Sequence, residues 1–187
     1  MKNIWFLFLL LVVGIGEINA QKIENDSYTN DARFIVTSLE AARSFTDKVF
    51  ISFGMEFFQP EGTEGDYLVA IKLVGSSDLQ IPQGGRMLLK TKNGDVVQLE
   101  ALNKGISGQE TNMGYTSFYV NASYPVTIDQ LNELFPGITK VRVELESAEP
   151  FEKEFSKDKI GKVLKKDYEL IQGALSKNPK GNFNDGF

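Results

Sequence analysis

Arg86-Met87-Leu88-Leu89-Lys90-Thr91-Lys92, then Asn93-Gly94, then Asp95-Val96-Val97-Gln98-Leu99-Glu100-Ala101-Leu102, is the stretch that decides the fold of this chain. Two apolar-rich arms flank a dipeptide that tolerates positive φ better than almost any other. The stretch therefore predicts an antiparallel hairpin closed by a two-residue loop at Asn93-Gly94. On both sides lie further strand patterns. Upstream, Tyr67 to Val74 is apolar on both faces, as suits a central, doubly covered strand. Before it, Val49, Ile51, Phe53 and Met55 share one face of Lys48 to Phe58, and Arg33 to Leu39 is apolar and β-branched. Downstream, Tyr115 to Tyr124 and Thr139 to Ser147 are strands, the latter with Val141, Val143 and Leu145 on its inward face.

Two helices interrupt this pattern. Thr127-Ile128-Asp129-Gln130 fits a capping box, with Leu131, Leu134 and Phe135 as a short apolar stripe before Pro136-Gly137 ends the helix. Later, Ile160, Val163, Leu164, Tyr168, Ile171, Ala174 and Leu175 recur at helical spacing, behind Ser156 as cap. Gly161 and Gly173 weaken that helix locally. The expectation is a β-rich fold of about seven mostly antiparallel strands, a sandwich or a curved sheet, with a short inter-strand helix and a C-terminal amphipathic helix. The alternative is an α+β open antiparallel sheet covered by that helix.

The ends read differently. Residues 1–20 combine Lys2, the apolar run Ile4 to Val13 and a small residue, Ala20, before Gln21, the layout of a cleavable export signal. The run falls short of the roughly 20 residues a spanning helix needs, so no stable membrane span is expected after cleavage. Residues 21–31 are polar and read as a flexible lead-in. A single domain is expected over 32–175, followed by a flexible tail at 176–187. Glu40 to Asp47 reads as a helical turn or a loop. Asn103 to Gly114 holds three glycines without periodicity and reads as a mobile surface loop.

Composition excludes several chemistries. Cys and His are absent, which closes off disulfides, lipid attachment through a cysteine, and the common zinc, iron and copper sites. With net charge −5 and no basic face, nucleic acid is not an expected partner. No cofactor is expected except, at most, Ca²⁺ on oxygen ligands from the acidic loop residues Glu61, Glu64 and Asp66. That loop lacks alternating Asp-x-Asp spacing and reads equally well as a soluble turn.

Three further constellations have chemical and plain readings. Ser156-Lys157-Asp158-Lys159 matches the Ser-x-x-Lys pattern of penicillin-recognising enzymes, but Ser156 reads more simply as a helix cap. Glu144 and Glu146 share a strand face, as paired carboxylates of a glycosidase would, or as the wet side of an amphipathic strand. Tyr115, Tyr119 and Asn121 share strand parity opposite Phe118 and Val120. They form an outward aromatic and polar row suited to a sugar or peptide, or to cross-strand packing.

From Arg86 through Tyr124-Pro125-Val126-Thr127 and Ile138-Thr139-Lys140-Val141 to the Lys-rich helix, the layout is similar to small exported proteins of Bacteroides-type bacteria. The resemblance covers roughly Tyr67 to Leu175 and implies a periplasmic or secreted β-rich domain. It assigns no catalytic residue. The functional expectation is an exported, non-enzymatic envelope module binding a protein partner or a glycan. The alternatives are a small hydrolase or lyase using carboxylate and Tyr groups, and a purely structural envelope component.

Overall fold

A computed structural model describes residues 21–29, 32–42, 48–112, 114–146 and 149–177. The expected signal lies outside them, as does the end of the tail. Among the described residues there are eleven strands and two helices. The strands are β1 (Ile23–Thr29), β2 (Ala32–Thr37), β3 (Glu40–Ala42), β4 (Phe50–Pro60), β5 (Asp66–Gly75), β6 (Arg86–Thr91), β7 (Val96–Glu100), β8 (Ile106–Asn112), β9 (Tyr115–Val126), β10 (Ile138–Val143) and β11 (Phe151–Glu154). The helices are α1 (Ile128–Leu134) and α2 (Ile160–Lys177). The expected β-rich class with two helices is therefore observed. The strand number is higher because the added strands β1, β3, β8 and β11 are edge strands with few apolar residues and so no clear alternation.

All pairings are antiparallel. The large, curled sheet runs β1-β2-β4-β5-β9-β8, and β3 continues the edge of β4 beside β2. The small sheet runs β11-β10-β6-β7. A hydrogen bond from Leu102 N–H to the Ser123 carbonyl, 3.0 Å, carries the chain from the end of β7 onto β9 and joins the sheets at that corner.

The core lies on the inner face of the large sheet. Ile51, Phe53, Met55 and Phe57 of β4 stand opposite Leu73, Ile71, Val69 and Tyr67 of β5, which stand opposite Val120, Ala122, Tyr124 and Val126 of β9. Every one of these is buried. The small sheet covers part of this face with Met87, Leu89, Val97, Leu99, Val141 and Val143. Helix α2 covers the rest, packing on β4 and β2. Tyr168 sets its ring against Tyr67 and Phe135, at 5.3 and 5.6 Å between centroids. No helix among the described residues is long and apolar enough to cross a membrane.

The central hairpin forms, but not with the expected loop. Its register pairs Lys90 with Val96 and Met87 with Leu99. Thr91 N–H donates to the Asp95 carbonyl, and Gly94 N–H closes a turn onto Thr91. The loop is thus three residues, Lys92-Asn93-Gly94, with Gly94 at φ +99°. A two-residue loop at Asn93-Gly94 would shift the pairing by one residue. It would set Met87 and Leu89 opposite the solvent-facing Glu100 and Gln98. Burial of the shared apolar face selects the longer loop.

Four other expectations are corrected. Residues 21–31, expected as a flexible lead-in, contain β1, because Asp26 receives both ends of the Arg33 guanidinium and the polar strand pairs with β2. The expected loop at Asn103–Gly114 contains β8, an edge strand along β9. Two of the glycines in this stretch mark close approaches. A Cβ on Gly108 would stand 2.6 Å from the Tyr119 ring, and one on Gly105 the same distance from Val120. Of Glu40 to Asp47, expected as a helical turn or a loop, Glu40–Ala42 is a strand, and residues 43–47 lie outside the described residues. Helix α2 starts at Ile160, later than Ser156, and Asp158 caps it by accepting from Gly161 N–H at 3.0 Å.

Candidate functional site: a cleft on the outer face of the large sheet

The residues of the large sheet that alternate with its core residues face outward. On β4 these include Glu56 and Phe58, and on β2 Phe34, directly opposite Phe58. On β5, Asp66 is opposite Phe58 and Leu68 opposite Glu56. On β9, Pro125 is opposite Leu68, with Ser123 one step along the same face. Leu102 and Asn103, held against β9 by the Leu102 hydrogen bond, form a wall. Together these side chains line an open cleft of about 550 Å³.

The floor is polar and the sides are apolar. Ala70 lies between Gly54 and Ser123 across three strands. Because Ala70 is small, Glu56 reaches across β5 and accepts a hydrogen bond from the Ser123 hydroxyl at 2.8 Å. Burial pushes the Glu56 carboxyl above its ordinary range, and the Ser123 hydroxyl opposes that rise only in part. Among the described residues no lysine or arginine lines the cleft or pairs with Glu56 or Asp66. At the rim Phe58 is 41 % exposed and Leu102 51 %, more than isolated core residues of this size leave in water.

This arrangement was not visible in the sequence. Glu56 and Ser123 are 67 residues apart. Strand parity puts Glu56 on the face opposite Met55, but only the sheet order brings β9 within its reach.

The residues singled out from the sequence fall elsewhere, with one exception. Asp66 joins the cleft, but Glu61 and Glu64 sit exposed in the preceding turn. No group of three acidic residues able to hold a metal ion is present among the described residues. Tyr119 and Asn121 face outward from β9 as parity requires. The Tyr119 ring covers Gly108, with Lys72 Nζ 4.5 Å from its centroid, so it is engaged in cross-strand packing. Tyr115 is at the far end of β9, 82 % exposed. This row lies apart from the cleft lining.

The two other constellations resolve into local pairs. Glu144 accepts from Arg86 at 3.0 Å, which holds its carboxyl below the usual range, and Glu146 pairs with Lys104 at 2.8 Å. Ser156 and Lys159 are both exposed and precede the helix, so Lys159 is not one turn behind a helical Ser156.

Comparison with protein-family models, curated proteins and solved structures finds no match. The cleft chemistry alone therefore carries the functional assignment.

Proposed function

We propose that this chain is an exported, non-enzymatic binding module that holds a segment of a protein partner in the outer-face cleft. The supporting observation is a concave site with mostly apolar walls and few polar groups on its floor, the usual form of a recognition pocket. A protein segment fits it better than a glycan. Its flat walls are Phe34 and Phe58, without a hydroxyl, while Tyr115 and Tyr119, suited to sugar hydroxyls, lie outside the lining. Export is supported by Lys2 and the apolar run Ile4 to Val13, the features a signal needs.

A photo-crosslinking residue at Phe58, compared with one at the exposed Val96 of the small sheet, tests the assignment in cells that make the protein. A discrete adduct from position 58 and none from 96 is expected. Equal or absent adducts would leave the structural-component role. A rise in melting temperature with oligosaccharides would instead identify a glycan module, since a ligand of the folded state alone must raise it.

A second role draws on Glu56 and Asp66 lining one cleft, the arrangement a carboxylate-dependent hydrolase or lyase would need for acid and base. Turnover of chromogenic glycosides, lost in both Glu56→Gln and Asp66→Asn, would establish it.

A further inference from the structure

Resting on the assignment of the cleft as a binding site, we infer that its occupant is a basic side chain of the partner: an ammonium or guanidinium group on an apolar stem. Three features of the cleft select that chemistry. First, it holds two carboxyl groups, Glu56 and Asp66, on neighbouring strands, and no cation lines it among the described residues. Glu56 is half-buried without a positive partner, which is costly, and a ligand cation removes that cost; Asp66 is exposed and adds its charge at the rim. Second, Phe34 and Phe58 stand on the same face beside the carboxyl groups. Aromatic faces attract a cation and also cover its methylene stem. Third, Ser123 engages a single oxygen of Glu56, leaving the other open to accept from a ligand N–H.

The same face already uses this combination once. Lys72 Nζ lies over the Tyr119 ring at 4.5 Å while pairing with Glu110 at 2.9 Å. Lys72 is therefore engaged away from the cleft and does not neutralise it. A neutral apolar side chain would fill the walls but leave the carboxyl pair uncompensated. An acidic one would be repelled.

The test is an NMR titration of the protein with Nα-acetyl-lysine amide and with Nα-acetyl-norleucine amide, which has a similar stem without the charge. The lysine compound should shift the amides around Ser123 and Leu68 and bind about tenfold more tightly than the norleucine compound. Glu56→Gln, which keeps an acceptor for Ser123, and Asp66→Asn should each reduce that preference. Phe58→Ala should weaken both ligands. Equal binding of the two compounds, with both weakened in Phe58→Ala, would keep the cleft as a site and overturn the basic side chain as its occupant. A preference for lysine that persists in both carboxamide variants would overturn it too. Failure of both compounds to shift any cleft residue would overturn the cleft itself.

Discussion

Asp167 is the residue most out of keeping with its surroundings. It sits on α2 against the large sheet with no exposure, and neither carboxyl oxygen meets a hydrogen-bond donor in good geometry. The nearby donors are engaged. The Thr37 hydroxyl donates to the Met55 carbonyl at 3.2 Å, and the Gln21 amide donates to the Val163 carbonyl at 2.9 Å. Burial pushes the carboxyl from 3.8 to about 7, with Thr37, Gln21 and Lys166 opposing the shift and Glu40 adding to it. Between those two values the folded chain holds a proton that the unfolded chain has released. Stability therefore falls as pH rises through that window and stays low above it. Asp167→Asn fixes the neutral form. Denaturant melts should show the variant gaining about 1–3 kcal/mol over the parent at pH 8. At pH 5 the gain should be much smaller. Other shifted carboxyls, such as Glu56 and Glu144, are common to both proteins and cancel in the difference. An equal gap at both pH values would refute the assignment.

Within α2, the two glycines that look alike in the sequence have opposite roles. A Cβ on Gly161 would stand 2.7 Å from the Leu134 carbonyl oxygen and 2.9 Å from Gly137 Cα. That glycine lets α2 cross the end of α1 at close range. A Cβ on Gly173 would meet nothing within 4 Å. Gly161→Ala should therefore destabilise by about 1–3 kcal/mol despite its better helix propensity. Gly173→Ala should stabilise by about 0.5–1 kcal/mol. Thermal melts of the two single variants moving the same way would contradict this account. Propensity alone predicts a gain at both positions, so only the tertiary contact separates them. Helix α1 is the opposite case. Its capping box is local, with Gln130 N–H donating to Thr127 Oγ1 at 3.2 Å and Thr127 N–H to Gln130 Oε1 at 3.0 Å. Sequence spacing was sufficient to find it.

Over the whole molecule, Arg33 ties three parts together. Its side chain is 4 % exposed. It donates to both oxygens of Asp26 on β1, at 2.9 and 2.8 Å, and to the Ala174 carbonyl near the end of α2 at 3.2 Å. Its guanidinium remains firmly charged, held first by the Asp26 hydrogen bonds against the cost of burial. Arg33→Ala should cost about 2–3 kcal/mol, because Asp26 is only partly open to water. Hydrogen exchange should show β1 and the last turns of α2 opening before β4 and β5. Unchanged protection of β1 would mean that its backbone ladder suffices.

What the sequence determined by itself is local or periodic. Alternation in Phe50–Pro60, Arg86–Thr91 and Ile138–Val143, the stripe of α2 and the cap of α1 were legible because each depends on neighbours a few residues away. Tertiary structure decided the remainder. It set the hairpin register, where burial of Met87 and Leu89 overrode the preferred turn. It made a strand of the glycine-containing Ile106–Asn112, because Tyr119 of β9 needs Gly108 beneath its ring. It also assembled the cleft. Glu56, Ser123, Leu102 and Phe34 come from four separate segments, and only the order of strands in a folded sheet puts them on one face. No local pattern encodes a contact whose partners are set by which strand lies beside which.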